Sequence, residues 1–341
     1  MFVSGIESVV KALAVAYGWP DAALQRLLSG TATVNYTGRA GGRQIFVKVY
    51  QPGTDLDTER AAMELSQFAA AGGVPTAAVI RSLDGSLIHH SDQTRFSVWE
   101  FVRGEPAGES GLTERQMAAV GRSLGRLHRV LAEHPAAQCT VEPASALCDV
   151  DRSIGKINKI LAALSHKPDG DDFQTWATDV LRWRLALMPR ITEILAGLPP
   201  LTCQILHGDF AAPNVLFHHD RVAAVIDFRP PRARPVAWEI SRIGCDPRTV
   251  LRGEQWQRGL RLLAAGYRDE HNDARPDDLV AMVRAWVCYS ATSIYPFDEL
   301  VTGESLLADP LRTYARDRQQ ALVVVMNDLA KVEDVLRATP R

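Results

Sequence analysis

The chain has little cysteine. Cys139, Cys148, Cys203, Cys245 and Cys288 are scattered, odd in number and form no Cys-x-x-Cys pair, which excludes a disulfide framework and a cysteine-based zinc site and predicts reduced, mostly buried thiols. It also lacks any apolar run long enough for a transmembrane helix, so no membrane partner is expected. Neither sign of charge dominates. With 38 Lys and Arg against 40 Asp and Glu, the formal net charge of -2 and pI near 6.5 give no global field to gather nucleic acid or anionic lipid. Lysine is scarce beside arginine, and there is no internal repeat or low-complexity tract. At the N-terminus Ala14-Val15-Ala16 mimics a signal cleavage site, but Glu7 and Lys11 interrupt the apolar run and no basic segment precedes it. Ile6, Val9, Leu13 and Tyr17 instead repeat with helical spacing, as in an amphipathic helix of a cytoplasmic protein.

What is present is concentrated in His207-Gly208-Asp209-Phe210-Ala211-Ala212-Pro213-Asn214, followed thirteen residues later by Asp227 in Val225-Ile226-Asp227-Phe228. An aspartate five residues before an asparagine, with a second aspartate on a later hairpin, is the set a phosphoryl-transfer centre requires. Mg2+ wants hard oxygen ligands, which Asn214 and Asp227 supply. An attacking hydroxyl must be oriented and must lose its proton, which suits the Asp209 carboxylate. Asp and Asn also favour turns, so single members would carry little. Their combination, flanked by the apolar runs 203–206 and 215–217, carries the reading, with a short loop leaving one strand at Asp209 and entering the next at Asn214, whose hairpin partner brings Asp227 alongside.

Before that loop, residues 27–50 read as strand, turn, strand, turn, strand, with Gly41-Gly42 at a hairpin turn and Phe46 and Lys48 on one face of the last strand. A helix over residues 57–71 follows, its apolar stripe on Ala61, Leu65 and Phe68. Strands are predicted at 78–81, 87–90 and 95–101. Val102 to Pro106 resembles a linker, and beyond it helices are predicted at 112–131, 150–164 and 172–195. Strands first and helices later predict an α+β chain with a small N-terminal lobe, residues 1–102, and a larger, mainly helical lobe, residues 103–341.

Lys48, in the middle of an apolar strand, is expected to meet nucleotide phosphates. Glu59 and Glu64 are both available to hold it, Glu64 nearer the apolar face. The small-residue stretch Ser29, Gly30, Thr31, Thr33 and Asn35 could cover the phosphates closely, although no G-x-x-x-x-G-K-[ST] or G-x-G-x-x-G loop occurs. Trp99, Glu100 and Phe101 would lie beside an adenine ring. Arg229, Arg232 and Arg234 sit in a proline-rich run that reads as a solvated basic loop, one of whose guanidiniums could bind an anionic substrate group. Glu239 could hydrogen-bond the catalytic loop. Trp286, Tyr289, Tyr295, Asp298 and Glu299 are candidates for the acceptor pocket. His128 reads as a packed histidine, and His207 and Phe228 as scaffold.

These residues resemble the aminoglycoside phosphotransferase and choline kinase-like family, whose fold is similar to that of protein kinases. The resemblance rests on the Lys48 strand, Gly73-Val74-Pro75, the helix end at Leu124 to His128, the 207–214 loop, Asp227 and Trp238-Glu239. It implies a bilobal kinase-like fold with Asp209 as base or hydroxyl-orienting residue, Asn214 and Asp227 on magnesium, and Lys48 on the phosphates of ATP or GTP. The expected activity is phosphorylation of a small-molecule hydroxyl, as in an antibiotic-resistance kinase. The arginine-proline run, in place of the often acidic residues that follow the aspartate, favours a neutral or nucleoside-like acceptor over a polycationic aminoglycoside. A metabolite kinase of homoserine, choline or thiamine type is the alternative, and a non-catalytic nucleotide-binding regulatory module is the reading from another class. No activation segment ending in an Ala-Pro-Glu-like motif follows Asp227, which argues against protein substrates.

Overall fold

The computed structural model of the chain describes residues 5–27, 33–91, 94–108, 111–165, 171–253, 255–302 and 308–338. In chain order its elements are α1 (Ile6–Tyr17), β1 (Ala23–Leu27), β2 (Thr33–Ala40), β3 (Arg43–Tyr50), α2 (Leu56–Ala71), β4 (Val79–Ile80), β5 (His89–His90), β6 (Arg95–Glu100) and β7 (Glu105–Pro106). Next come α3 (Glu114–Leu131), β8 (Thr140–Glu142), α4 (Val150–Ser165), α5 (Asp172–Ala196), β9 (Leu201–Ile205), β10 (Val215–His218), β11 (Arg221–Val225) and β12 (Ala233–Pro235). The chain closes with α6 (Val236–Gly244), α7 (Pro247–Val250), α8 (Gln255–Glu270), α9 (Pro276–Thr292), α10 (Glu299–Thr302) and α11 (Asp309–Arg337). Two compact units result. The first is residues 1–106 with 207–209 and 214–231, and the second is 107–206, 210–213 and 232–341. The first unit thus runs to residue 106, where the sequence suggested 102, and also takes in residues 207–209 and 214–231.

The first unit is built on an antiparallel sheet ordered β1-β2-β3-β6-β4, with β5 on β6. Gly41 and Gly42, both at positive φ, make the two-residue turn that joins β2 to β3. Ile45, Val47 and Val49 alternate inward from β3 and pack with Val9, Leu13 and Tyr17 of α1. Each such buried aliphatic contributes about 1.5–3 kcal/mol. The opposite face of β3 is left to Phe46 and Lys48.

Helix α2 begins at Asp55, whose carboxylate accepts from the N–H groups of Asp57 and Thr58. Its buried face is Ala62, Met63, Leu65, Ser66 and Ala69. The expected stripe on Ala61, Leu65 and Phe68 is thus rotated, because small residues at 62, 66 and 69 form the close-packing side while Ala61 and Phe68 stay half-buried. The last two residues of the stretch read as a linker form β7, which pairs Glu105 with Phe217 and Pro106 with Leu216 of β10. The glycine and proline of that stretch disguised it, but proline is tolerated on an edge strand. Val225 N–H donates to Pro75 O at 2.8 Å, and Thr76 bridges Val225, so the β10–β11 hairpin is tied to the loop after α2.

The second unit is mainly helical. Thr113 and Gln116 form a capping box at the start of α3, and Met117, Val120, Leu124, Leu127 and Leu131 give it a fully buried stripe, as the spacing predicted. Strand β9 pairs with β12 and β8, not with β10. The hairpin expected to bring Asp227 beside Asn214 is β10–β11. His128 is wholly buried, as expected of a packed histidine; its Nε2–H donates to Glu239 Oε2 at 3.0 Å, and Tyr267 Oη–H donates to its Nδ1 at 2.8 Å. Burial holds the Tyr267 phenol well above its ordinary value, which keeps it a donor. Gln204 Nε2 donates to His128 O at 2.6 Å and fixes β9 to α3. Glu239, expected on the catalytic loop, has this histidine as a partner.

Candidate active site

The site is assembled within the first unit. Lys48 projects from β3, which lies between β2 and β6, so it is not the solvated lysine of an edge strand. Its Nζ lies 3.7 Å from Glu59 Oε2 of α2 and donates to Asp227 Oδ1 at 3.4 Å. Glu59 is the helix partner. Glu64, placed nearer the apolar face by sequence, is exposed, because the rotated stripe of α2 turns that position to solvent.

His207 organises the loop. Its ring is buried; Nε2–H donates to Ile226 O at 2.9 Å and Nδ1 accepts from Asp209 N–H at 3.1 Å, a tautomer assigned from these partners. His207 O accepts from Arg229 N–H at 2.9 Å, and the ring packs on Phe228 at 4.3 Å. One side chain thus clamps residues 207–209 to 226–229. Gly208, at φ +86°, has no room for a side chain: a Cβ there would lie 2.7 Å from Cβ of Arg229.

Asn214 Nδ2 donates to Asp209 O at 2.9 Å, which leaves Oδ1 as the amide atom for a ligand. Ile226 N–H donates to Asn214 O at 3.0 Å, so Asn214 and Asp227 stand at the same end of the β10–β11 hairpin. Asp227 is held at φ +60°, a left-handed conformation that costs a non-glycine residue about 1–3 kcal/mol and tends to mark functional positions. One carboxylate and one amide oxygen are hard donors that fit Mg2+. Among the described residues no group of three or more His, Cys, Asp or Glu forms a closed cage. Such a pair suits an ion that completes its shell with phosphate oxygens and water.

Lys48, Glu59 and Asp227 open onto a recess of about 590 Å³, within the range of small-molecule sites. Phe46, Met63, Trp99, Phe101, Leu216 and Ile226 give it apolar walls, with Lys48, Glu59 and Asp227 at one part of its surface. Thr33 and Asn35 line it, and Thr33 Oγ1 donates to Asn35 Oδ1 at 3.0 Å. Ser29, Gly30 and Thr31 lie outside the described residues. Glu100 and Phe101 also line the recess, yet the sheet takes up their N–H groups, on Ala78 O and Gln44 O. Among the described residues, Val102 N–H has no backbone partner. Sequence reasoning passed over this wall residue because it stood in an apparent linker.

The arginine run is not a uniform solvated loop. Arg229 Nη2 donates to Asp209 Oδ2 at 2.9 Å, while in the second unit Arg234 is half-buried over Trp238 at 4.4 Å and Arg232 is exposed. The other acceptor candidates belong to the second unit. Trp286 is 3% exposed and is a core residue, so its expected place on a pocket wall is not formed. Tyr289 and Asp298 are half-buried, and Tyr295 and Glu299 are exposed.

The pattern of the phosphotransferase enzyme family matches residues 23–277 of this chain. None of the curated proteins matches it in sequence. Among solved structures it is similar to a spectinomycin phosphotransferase held with ADP and spectinomycin, at 15% identity, 98% coverage of both chains and a TM-score of 0.61. It is similar also to a microcompartment-associated aminopropanol kinase, at 17% identity, 96% and 98% coverage and a TM-score of 0.63. A choline kinase from Cryptosporidium parvum aligns at 12% identity, over 95% and 96% of the two chains, with a TM-score of 0.59. At such identities the likeness shows the fold, an α+β kinase-like architecture.

Proposed function

The chain belongs to the phosphotransferase enzyme family, and from that premise we propose that it moves the γ-phosphoryl group of ATP or GTP to a hydroxyl of a small molecule. The observation that carries this reading is the meeting of Lys48, Glu59 and Asp227 on one recess, with Asn214 and Asp209 on the adjoining loop. Lys48, steadied by Glu59, would bind phosphate oxygens, and the apolar walls would take the base. Asn214 Oδ1 and Asp227 would hold Mg2+, which when bound neutralises charge on the phosphate oxygens. Asp209 would orient the acceptor hydroxyl and take its proton on a carboxylate oxygen. Because the transition state is loose, positioning and charge supply most of the acceleration.

The acceptor we favour is a neutral or nucleoside-like hydroxyl compound such as an antibiotic, with a metabolite as the second reading. The solved relatives act in support of both, since one is held with spectinomycin and others are named for aminopropanol and choline. No described helix is long and apolar enough to cross a membrane, and we place the reaction in the cytoplasm. Asp209→Asn should reduce transfer by roughly 10²–10⁴-fold while nucleotide still raises the melting temperature. Near wild-type transfer by that variant would remove Asp209 from its role. Nucleotide stabilisation without transfer to any acceptor in a broad panel would favour a regulatory module.

A further inference from the structure

Two buried arginines share one serine in the second unit, and among the described residues neither has an acid. Arg184 of α5 is 1% exposed and Arg318 of α11 is 3% exposed. Arg184 donates from Nε to Gln319 Oε1 at 3.0 Å and from Nη1 to Ser293 O at 2.8 Å. Arg318 donates from Nε to Ser290 Oγ at 3.2 Å, and from Nη1 to Ser293 Oγ at 3.1 Å and Tyr295 O at 2.9 Å. Its Nη2 is buried with no partner among the described residues. Every one of these partners is neutral.

Elsewhere in the same unit buried charge is matched by an opposite charge or, at Asp246 and Asp278, held by N–H and hydroxyl donors from Thr249 and Thr202. Glu333 is paired with Arg284 and Arg337, and Glu239 with His128. An unpaired buried ion is costly, and a second cation beside it adds repulsion. Burial first, then Arg318, pushes the Arg184 guanidinium down to about 9, so it still carries its charge near neutrality. The carboxyl end of α9, where Ser290 and Ser293 sit, offers about half a negative charge. That does not balance two cations.

The surroundings concentrate the field. Arg318 lies over the Tyr289 ring at 5.1 Å, Arg242 lies over Tyr289 at 5.9 Å and over Trp238 at 5.1 Å, and Arg234 lies over Trp238 at 4.4 Å. Guanidiniums and rings alternate from β12 through α6 and α9 to α11. Tyr295, whose carbonyl binds Arg318, carries an exposed ring that lies 6.2 Å from that of Tyr314 and marks the side nearest solvent.

We propose that Arg318, backed by Arg184 and walled by Tyr289, is a binding site for an oxyanion, either a carboxylate or a phosphate group of a small molecule. The missing counter-charge and the unpartnered Nη2 together call for an acceptor that carries negative charge, whereas a buried water would satisfy only the hydrogen bond. Two sources share this chemistry: an anionic group on the acceptor, or a free anion. The site does not depend on the kinase reading, because the measurement that upholds or overturns it needs no turnover.

The test is thermal unfolding of the full chain in chloride buffer, titrated with inorganic phosphate and, separately, acetate at constant ionic strength. Wild type should show a saturable rise of several degrees with at least one of them. Lys48→Met, which disables the phosphate-binding lysine of the recess, should keep that rise, and Arg318→Met should lose it. In chloride alone Arg318→Met should melt no lower than wild type, since it removes an uncompensated charge. A wild-type midpoint unmoved by either anion overturns the proposal even if Arg318→Met does not fold. So does a rise that survives in Arg318→Met and vanishes in Lys48→Met. Competition between the stabilising anion and the acceptor in the transfer assay assigns the site to a group on the acceptor. Stabilisation without competition assigns it to a free anion, and either result upholds the site.

Discussion

Arg229 Nη2 donates to Asp209 Oδ2 at 2.9 Å, so one oxygen of the proposed base is held by a guanidinium two residues beyond Asp227. Arg229 is 64% exposed and Asp209 21% exposed at their side chains. An exposed pair of this kind is worth about 0.2–1 kcal/mol to stability. Its value lies in geometry. The contact fixes the orientation of the proposed base, and so would set how its carboxylate meets an acceptor hydroxyl. Arg229→Gln should therefore leave the melting temperature within a few degrees of wild type while lowering kcat about tenfold, the effect of about 1.4 kcal/mol in the transition state. Nucleotide KM should change little. A variant that loses nucleotide affinity and keeps kcat would place Arg229 on the donor instead.

Lys48 stands between two carboxylates, Glu59 at 3.7 Å and Asp227 at 3.4 Å, and they have different work. In the proposed reaction Asp227 would hold the metal, whereas Glu59 would position the lysine. Lys48→Met should cost roughly 10²–10³-fold in kcat. Glu59→Gln should cost less, and the double variant should be no worse than Lys48→Met alone, because Glu59 acts through the lysine. Additive losses in a double-mutant cycle would mean that Glu59 touches nucleotide or metal on its own.

Much of this was legible because the informative residues are local. The loop from His207 to Asn214 carries its spacing in eight consecutive positions, and the α3 stripe repeats over about four turns. What escaped depended on pairing between distant segments. β7 is two residues long and reads as a linker until Phe217 and Leu216 are set beside it. The choice of Glu59 over Glu64 turns on a rotation of α2 by one position, which alanines and a serine on the buried face did not signal. Trp286 looked available for a pocket because aromatic content alone does not distinguish a wall from a core.

Close approach of α3 and α8 gives a stability prediction. A Cβ on Gly121 would lie 2.1 Å from Leu263 O, and one on Gly125 2.3 Å from Tyr267 O, both backbone atoms that cannot swing aside. From the other helix, a Cβ on Gly266 would lie 2.6 Å from Ala118 O. Alanine is the better helix former by about 1 kcal/mol, yet Gly121→Ala should destabilise by about 1–3 kcal/mol, because the two helices must separate to admit the methyl. Chemical denaturation checks the sign. A stabilised Gly121→Ala would show that the helices part without loss.

His271 sets a pH dependence. Burial, then the neighbouring His128 and Arg129, push its imidazole down to about 4 from an ordinary value of 6.5. Between those values the unfolded chain binds a proton that the folded chain resists, so this group destabilises the fold as pH falls from 6.5 towards 4. Above 6.5 it is neutral in both states and has no effect. Asp246 and Asp278, whose carboxyls burial pushes up, titrate with the opposite sign. The comparison must therefore be a difference. Denaturant midpoints of wild type and His271→Gln should run parallel from pH 8 to 7, and wild type should then fall relative to the variant down to about pH 4.5. Parallel curves throughout would show that the imidazole is solvated in the folded chain.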